Sequence, residues 1–138
     1  MAIVATRGVT LLQVYDMPEA LAFYQGVLGF EIVSASPAVD TPEGRFSHWV
    51  WLQLGVVQIM LNSAYDEGQR PAQRVVAQQR WHGDTCLYFD VPDVDAVHEQ
   101  LQSKRPEISV PTNAQYGMRQ LYIADPDGYI ICFQTPIS

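Results

Sequence analysis

The sequence predicts an α+β fold built from two similar units, and three observations carry the prediction. Residues 9–62 run strand, helix, strands: VTLLQVYD, MPEALAFYQGVLGF, EIVSAS, HWVWLQLG and VVQIMLN. Residues 86–134 run in the same order, as CLYFDVPD, VDAVHEQLQSK, EISV, GMRQLYIADPDG and YIICFQ, and setting Asp16 on Asp93 brings the halves into register. In both halves the apolar residues alternate in the strands and recur at helical spacing between them. An internal repeat of this length places any site where the two modules face each other.

Along the first half, Thr10, Leu12 and Val14 should pack on the helix, leaving Val9, Leu11 and Gln13 on the opposite face. Asp16 caps a helix beginning at Met17, with Pro18 in its first turn and Glu19 completing a capping box. Ala20, Leu21, Phe23, Tyr24, Val27 and Leu28 give that helix one broad apolar face, and Gly29 ends it. The 35–45 region, with Pro37, Pro42 and Gly44, reads as an exposed loop. Trp49, Trp51 and Gln53 then fall on the outer count of their strand; Val57, Ile59 and Leu61 face the helix, leaving Val56, Gln58 and Met60 outward.

The polar stretch 63–82 reads as a linker with a short helix around 71–80. In the second half Leu87, Phe89 and Val91 pack inward and Cys86, Tyr88 and Asp90 point out. The helix after Asp93 carries Val94, Val97 and Leu101 and is closed by Pro106. Gln120, Tyr122 and Ala124 match Trp49, Trp51 and Gln53, and Asp125-Pro126-Asp127-Gly128 is a strong turn with Gly55 as its shorter counterpart. Ile131 and Phe133 face the helix, leaving Ile130, Cys132 and Gln134 outward.

With 138 residues, 48% of them hydrophobic, the chain suits a single domain, 1–138, with module one at about 7–62, the linker at 63–82 and module two at about 83–136. No apolar run approaches the roughly 20 residues of a membrane helix, and no secretory signal is recognisable, so a cytoplasmic protein is expected. The formal charge is −7 and the eight basic residues are scattered, which argues against nucleic acid as a partner. A cationic small molecule would be attracted, whereas an anionic one needs local help. Two cysteines do not make a secreted disulfide framework.

The pattern Val14-x-Asp16, Ala22-Phe23-Tyr24 and Leu28-Gly29-Phe30 resembles the first module of the vicinal oxygen chelate superfamily, and Gly117-Met118-Arg119 through Asp125-Pro126-Asp127-Gly128 resembles its second-module ending. That superfamily includes glyoxalase I, extradiol dioxygenases, fosfomycin resistance enzymes and bleomycin-binding proteins. The resemblance implies two βαβββ modules whose curved mixed sheets enclose a cup, and a homodimer with modules paired within or across chains. It also implies metal ligands on the first and last strands of each module. Those positions are Val9, Met60, Cys86 and Cys132 here, with no His, Glu or Asp among them, so no metal or other cofactor is expected. A soft-metal site from the cysteines and Met60 is set against two thiols lining a dry pocket, the leading reading. His48 falls on the helix-facing count, His82 ends the linker, and His98 is expected on the wet face of its helix.

What remains on the cup face is Leu11, Gln13, Trp49, Trp51, Gln58, Met60, Tyr88, Asp90, Gln120 and Tyr122. Rings offer flat contact area and the amides and carboxylate offer orientation. Arg119 is expected to position a strand through a carboxylate contact. The expected function is metal-independent sequestration or carriage of a planar or aromatic natural product, cationic ones included, similar to the bleomycin-resistance branch, with no catalytic residue. The alternative is a lyase, isomerase or dioxygenase-type enzyme that recruits His82 or the cysteines to an unconventional metal site. A third is a structural or regulatory dimer whose cup is filled by its own side chains.

Overall fold

The structure, a computed structural model, describes residues 2–137. Module one comprises β1 (Thr10–Val14), α1 (Met17–Leu21), β2 (Glu31–Ala35), a hairpin of β3 (Val39–Thr41) and β4 (Gly44–Phe46), β5 (Trp49–Leu54) and β6 (Val57–Ser63). After α2 (Val76–His82), module two runs β7 (Cys86–Asp90), α3 (Val94–Gln102), β8 (Thr112–Asn113), β9 (Met118–Ala124) and β10 (Ile130–Pro136). The two four-stranded sheets have the orders β1-β6-β5-β2 and β7-β10-β9-β8, so the sequence repeat is a structural repeat. In each, the first strand pairs parallel with the last and the other pairs are antiparallel.

Both helices start as the residues dictate. The Asp16 carboxylate accepts the Glu19 N–H at 3.1 Å, and Asp93 accepts the N–H groups of Asp95 and Ala96. Beyond α1 the chain continues as a wider, π-helical turn over Ala22–Val27, with the Leu28 N–H donating to the Phe23 carbonyl. That turn seats both Phe23 and Tyr24 in the interior, each at most 2% exposed.

One apolar core runs through both modules, joining Leu12, Val14, Phe23 and Tyr24 to Phe89, Leu101, Ile131 and Phe133. Phe30 packs edge-on against Phe89 at 6.1 Å, the Tyr24 hydroxyl donates to Asp125 at 2.7 Å, and Lys104 Nζ donates to the Gly26 carbonyl at 2.7 Å. The helix-facing sides of the two sheets therefore share one interior, and their other faces look outward. Among the described residues no helix is long and apolar enough to cross a membrane.

Four expectations are corrected. The 35–45 loop contains the β3–β4 hairpin, closed by Thr41 Oγ1, which accepts the Glu43 N–H and donates to the Gly44 carbonyl. EISV is not a strand: Pro106 and Pro111 flank it without donors, and only Thr112–Asn113 pair with β9. The linker helix lies at Val76–His82 rather than 71–80, because the preceding segment is pinned in place: the Tyr15 hydroxyl donates to the Pro71 carbonyl, and Arg74 reaches Glu19 and Asp127. Thr10, on the helix-facing count, is exposed at the start of β1.

Candidate functional site

The ladders bring the outward residues into rows. Leu11 pairs with Met60 and Met60 with Trp51; Gln13 pairs with Asn62 and Asn62 with Trp49; Gln53 pairs with Gln58. These rows form the outer face of module one, face one. Leu11 is 41% exposed there, and Trp49 and Trp51 meet edge to face at 6.4 Å. Asn62 donates to the Gln13 side-chain oxygen at 3.1 Å and Gln58 to that of Gln53 at 3.0 Å. The Trp51 indole N–H is enclosed without an acceptor, while the Arg7 guanidinium lies over the Trp51 ring, 5.2 Å from its centroid.

On face two, the outer face of module two, Tyr88 pairs with Cys132 and Cys132 with Tyr122, and Asp90 pairs with Gln134 and Gln134 with Gln120. Tyr88 and Tyr122 are 52% and 45% exposed. The Tyr122 hydroxyl donates to Gln120, Gln120 to Gln134, and Gln134 to Asp90, at 2.9, 3.1 and 2.9 Å. Gln120, buried, also donates to the Tyr116 hydroxyl. This relay crosses three strands and holds the polar groups in one orientation.

All ten expected site residues thus lie on outer faces, six on face one and four on face two. What one chain does not do is bring the faces together. Among the described residues, none of the best-formed cavities is lined by both faces.

The positions equivalent to metal ligands divide in the same way: Met60 lies on face one, and Cys86 and Cys132 belong to face two. Burial pushes both thiols above the usual range, which leaves them protonated at neutral pH. A valine, a thioether and two neutral thiols do not fit a hard divalent cation. Among the described residues no three His, Cys, Asp or Glu side chains converge as a metal site.

The histidines are elsewhere. His48 packs on Phe46 at 5.2 Å. His82, the last residue of α2, stacks on Tyr129 with ring centroids 4.1 Å apart. Its Nδ1 lies 2.7 Å from the Asp127 carbonyl, which assigns the proton to Nδ1, and Nε2 faces the Tyr129 hydroxyl at 3.3 Å. Both ring nitrogens are therefore turned to the protein. His98 is not on the wet face as expected: it is half-buried and its Nε2 is enclosed without a partner. Arg119 does position its strand, through a two-pronged contact with Asp95 at 2.9–3.3 Å, and holds that carboxyl below its usual range.

One cluster escaped the sequence reading. Between α2, the end of β1 and the Asp125–Gly128 turn, a cavity of about 20 Å³ is lined by Tyr15, Arg74, Gln79, His82 and Asp127. It is sized for a single water rather than an organic molecule. Asp127 Oδ1 accepts from the Tyr15 N–H and from Arg74, and Oδ2 is enclosed without a partner. The only sequence signal was the turn itself; the convergence of three distant segments on it is tertiary.

The profile of the Glyoxalase/Bleomycin resistance protein/Dioxygenase superfamily matches residues 6–133. No curated protein sequence is significantly similar to the chain. Among solved structures, the antibiotic-binding protein TnmS3 from Streptomyces sp. CB03234 is 26% identical, with a TM-score of 0.63 over 97% of this chain and 99% of that one. A bleomycin resistance determinant encoded on the transposon Tn5 is 20% identical, with a TM-score of 0.67 over 96% and 98%. The bleomycin-binding protein of bleomycin-producing Streptomyces verticillus, solved with copper(II)-bleomycin, is 17% identical, with a TM-score of 0.62 over 99% of each chain. The last two likenesses speak for the fold alone.

Proposed function

The chain belongs to the Glyoxalase/Bleomycin resistance protein/Dioxygenase superfamily, and from that premise we propose that it binds planar aromatic small molecules without a metal and without transforming them. The observation that carries the reading is the composition of the outer faces: exposed or half-buried rings (Trp49, Trp51, Tyr88, Tyr122) set among amides held by hydrogen bonds, with Met60 and two protonated thiols where a cation would need ligands. Because the faces look outward from one core, the proposed site is a cup joining face one of one copy to face two of another. The 26% identity to an antibiotic-binding protein over nearly the whole of both chains supports sequestration over turnover. The enzyme alternative gains nothing from the geometry, since His82 has no free ring nitrogen and the thiols are not activated.

Replacing Trp51 with Ala should weaken binding of a polycyclic aromatic probe by about tenfold or more, measured by calorimetry, while sedimentation still gives a dimer. A dimer that falls apart would make the ring part of the assembly core instead. Cys86→Ser with Cys132→Ser should leave affinity within a few-fold. A stoichiometric divalent ion in the purified protein, with turnover abolished by a chelator, would overturn the reading.

A further inference from the structure

We propose that Arg7 and the Trp51 indole form an anion-binding subsite on face one, so that the ligand is a planar aromatic molecule bearing a carboxylate or phenolate. This inference rests on the reading of the outer faces as a ligand cup and specifies which charge that cup accepts.

An enclosed donor without an acceptor and a cation without an ion-pair partner meet at one ring. The Trp51 N–H is enclosed yet has no acceptor, a costly arrangement for a donor that water would otherwise serve. Above the same ring lies the guanidinium of Arg7, 5.2 Å from the centroid. Among the described residues Arg7 makes no ion pair: the carboxylates that do so serve Arg45, Arg70, Arg74 and Arg119. A guanidinium lying over an aromatic ring leaves N–H groups available for a contact to a carboxylate.

Arg7 belongs to an exposed N-terminal arm without regular structure, whose Ile3 and Val4 are 96% and 83% exposed. An arm of this kind can lift from the indole as a ligand ring slides against it and close again on the ligand's oxygen. The chain's −7 charge repels anions at long range, so an anionic ligand needs a local cation, and Arg7 is placed to supply it. In the assembled cup Asp90 comes from face two of the other copy, where Gln134 donates to its carboxylate.

The test uses the full-length protein and two fluorescent probes matched in ring area, pyrene-1-carboxylate and (pyren-1-ylmethyl)trimethylammonium, titrated at low and high salt. The expected result is tighter binding of the carboxylate, lost at high salt. Arg7→Gln should weaken the carboxylate about tenfold and leave the ammonium probe unchanged or tighter. Arg7 is exposed, so this variant should fold normally. Trp51→Phe, which keeps a ring and deletes the N–H, should weaken the carboxylate more than the ammonium. Preference for the ammonium, or indifference of the carboxylate to Arg7→Gln, overturns the subsite while leaving the cup reading intact. Failure of both probes to bind overturns both.

Discussion

Replacing Asp125 with Ala is expected to lower the unfolding free energy by about 3–5 kcal/mol, measured by chemical denaturation. Asp125 is 5% exposed. Its Oδ2 accepts the Tyr24 hydroxyl at 2.7 Å, and its Oδ1 accepts the N–H groups of Asp127 and Tyr129 at 2.9 Å each. Alanine would strand a buried phenol from module one and two turn amides from module two, at the point where the modules are joined. The phenol has no second state to escape to, because burial alone pushes its ionisation up. Asp125→Asn should cost much less, since the amide oxygen still serves the turn and the Tyr24 oxygen can accept from its nitrogen.

The asparagine variant also isolates a pH effect. Burial raises the Asp125 carboxyl to about 6, against the lowering influence of the Tyr24 hydrogen bond. An unfolded aspartate titrates near ~3.9, so between about pH 4 and pH 6 the folded state holds the proton more tightly. Its contribution to stability is therefore greatest at the acid end and is lost as pH rises through that window. Wild-type stability relative to Asp125→Asn should fall by about 2–3 kcal/mol between pH 4 and pH 7. Comparing the two proteins cancels Asp95, which Arg119 shifts the opposite way, whereas the charge of Asp127 helps to raise Asp125 and is part of the same coupled effect. A flat difference across that range would show that Asp125 does not hold the proton in the folded protein.

The features legible in the sequence were those set by local chemistry. Alternation separated Leu87, Phe89, Ile131 and Phe133 from Tyr88, Asp90 and Gln134, because a paired strand has only two faces. Asp16 and Asp93 announced both helices because an N-cap acts within one turn. The failures came from contacts between segments distant in sequence. The start of α2 is decided by Tyr15, Glu19 and Asp127, all more than 50 residues away from Pro71 or Arg74. Alternation named the two faces but could not say which way they look, since that depends on Phe30 meeting Phe89. The Arg7 contact with Trp51 was illegible for the same reason: an arm without periodicity gives no face to count.

Gly128 offers the second large effect, and the repeat supplies its control. Gly128 has φ +91°, and a Cβ added there would overlap the Gln79 carbonyl of α2. Alanine must therefore both occupy a backbone region unfavourable to side chains and drive the helix off the turn. The helix should yield first. It has no buried residue of its own, and it is held to the turn by Gln79 on the Pro126 carbonyl and His82 on the Asp127 carbonyl, at 2.9 and 2.7 Å. Gly128→Ala should cost about 3 kcal/mol and accelerate amide exchange across Val76–His82. It should also open the small cavity between α2 and the turn. At the counterpart in module one, Gly55 has φ +58° with nothing near an added Cβ, so Gly55→Ala should cost only about 1 kcal/mol and leave exchange in α2 untouched. Equal costs at the two positions would mean that the backbone conformation, not the seating of α2, is what Gly128 protects.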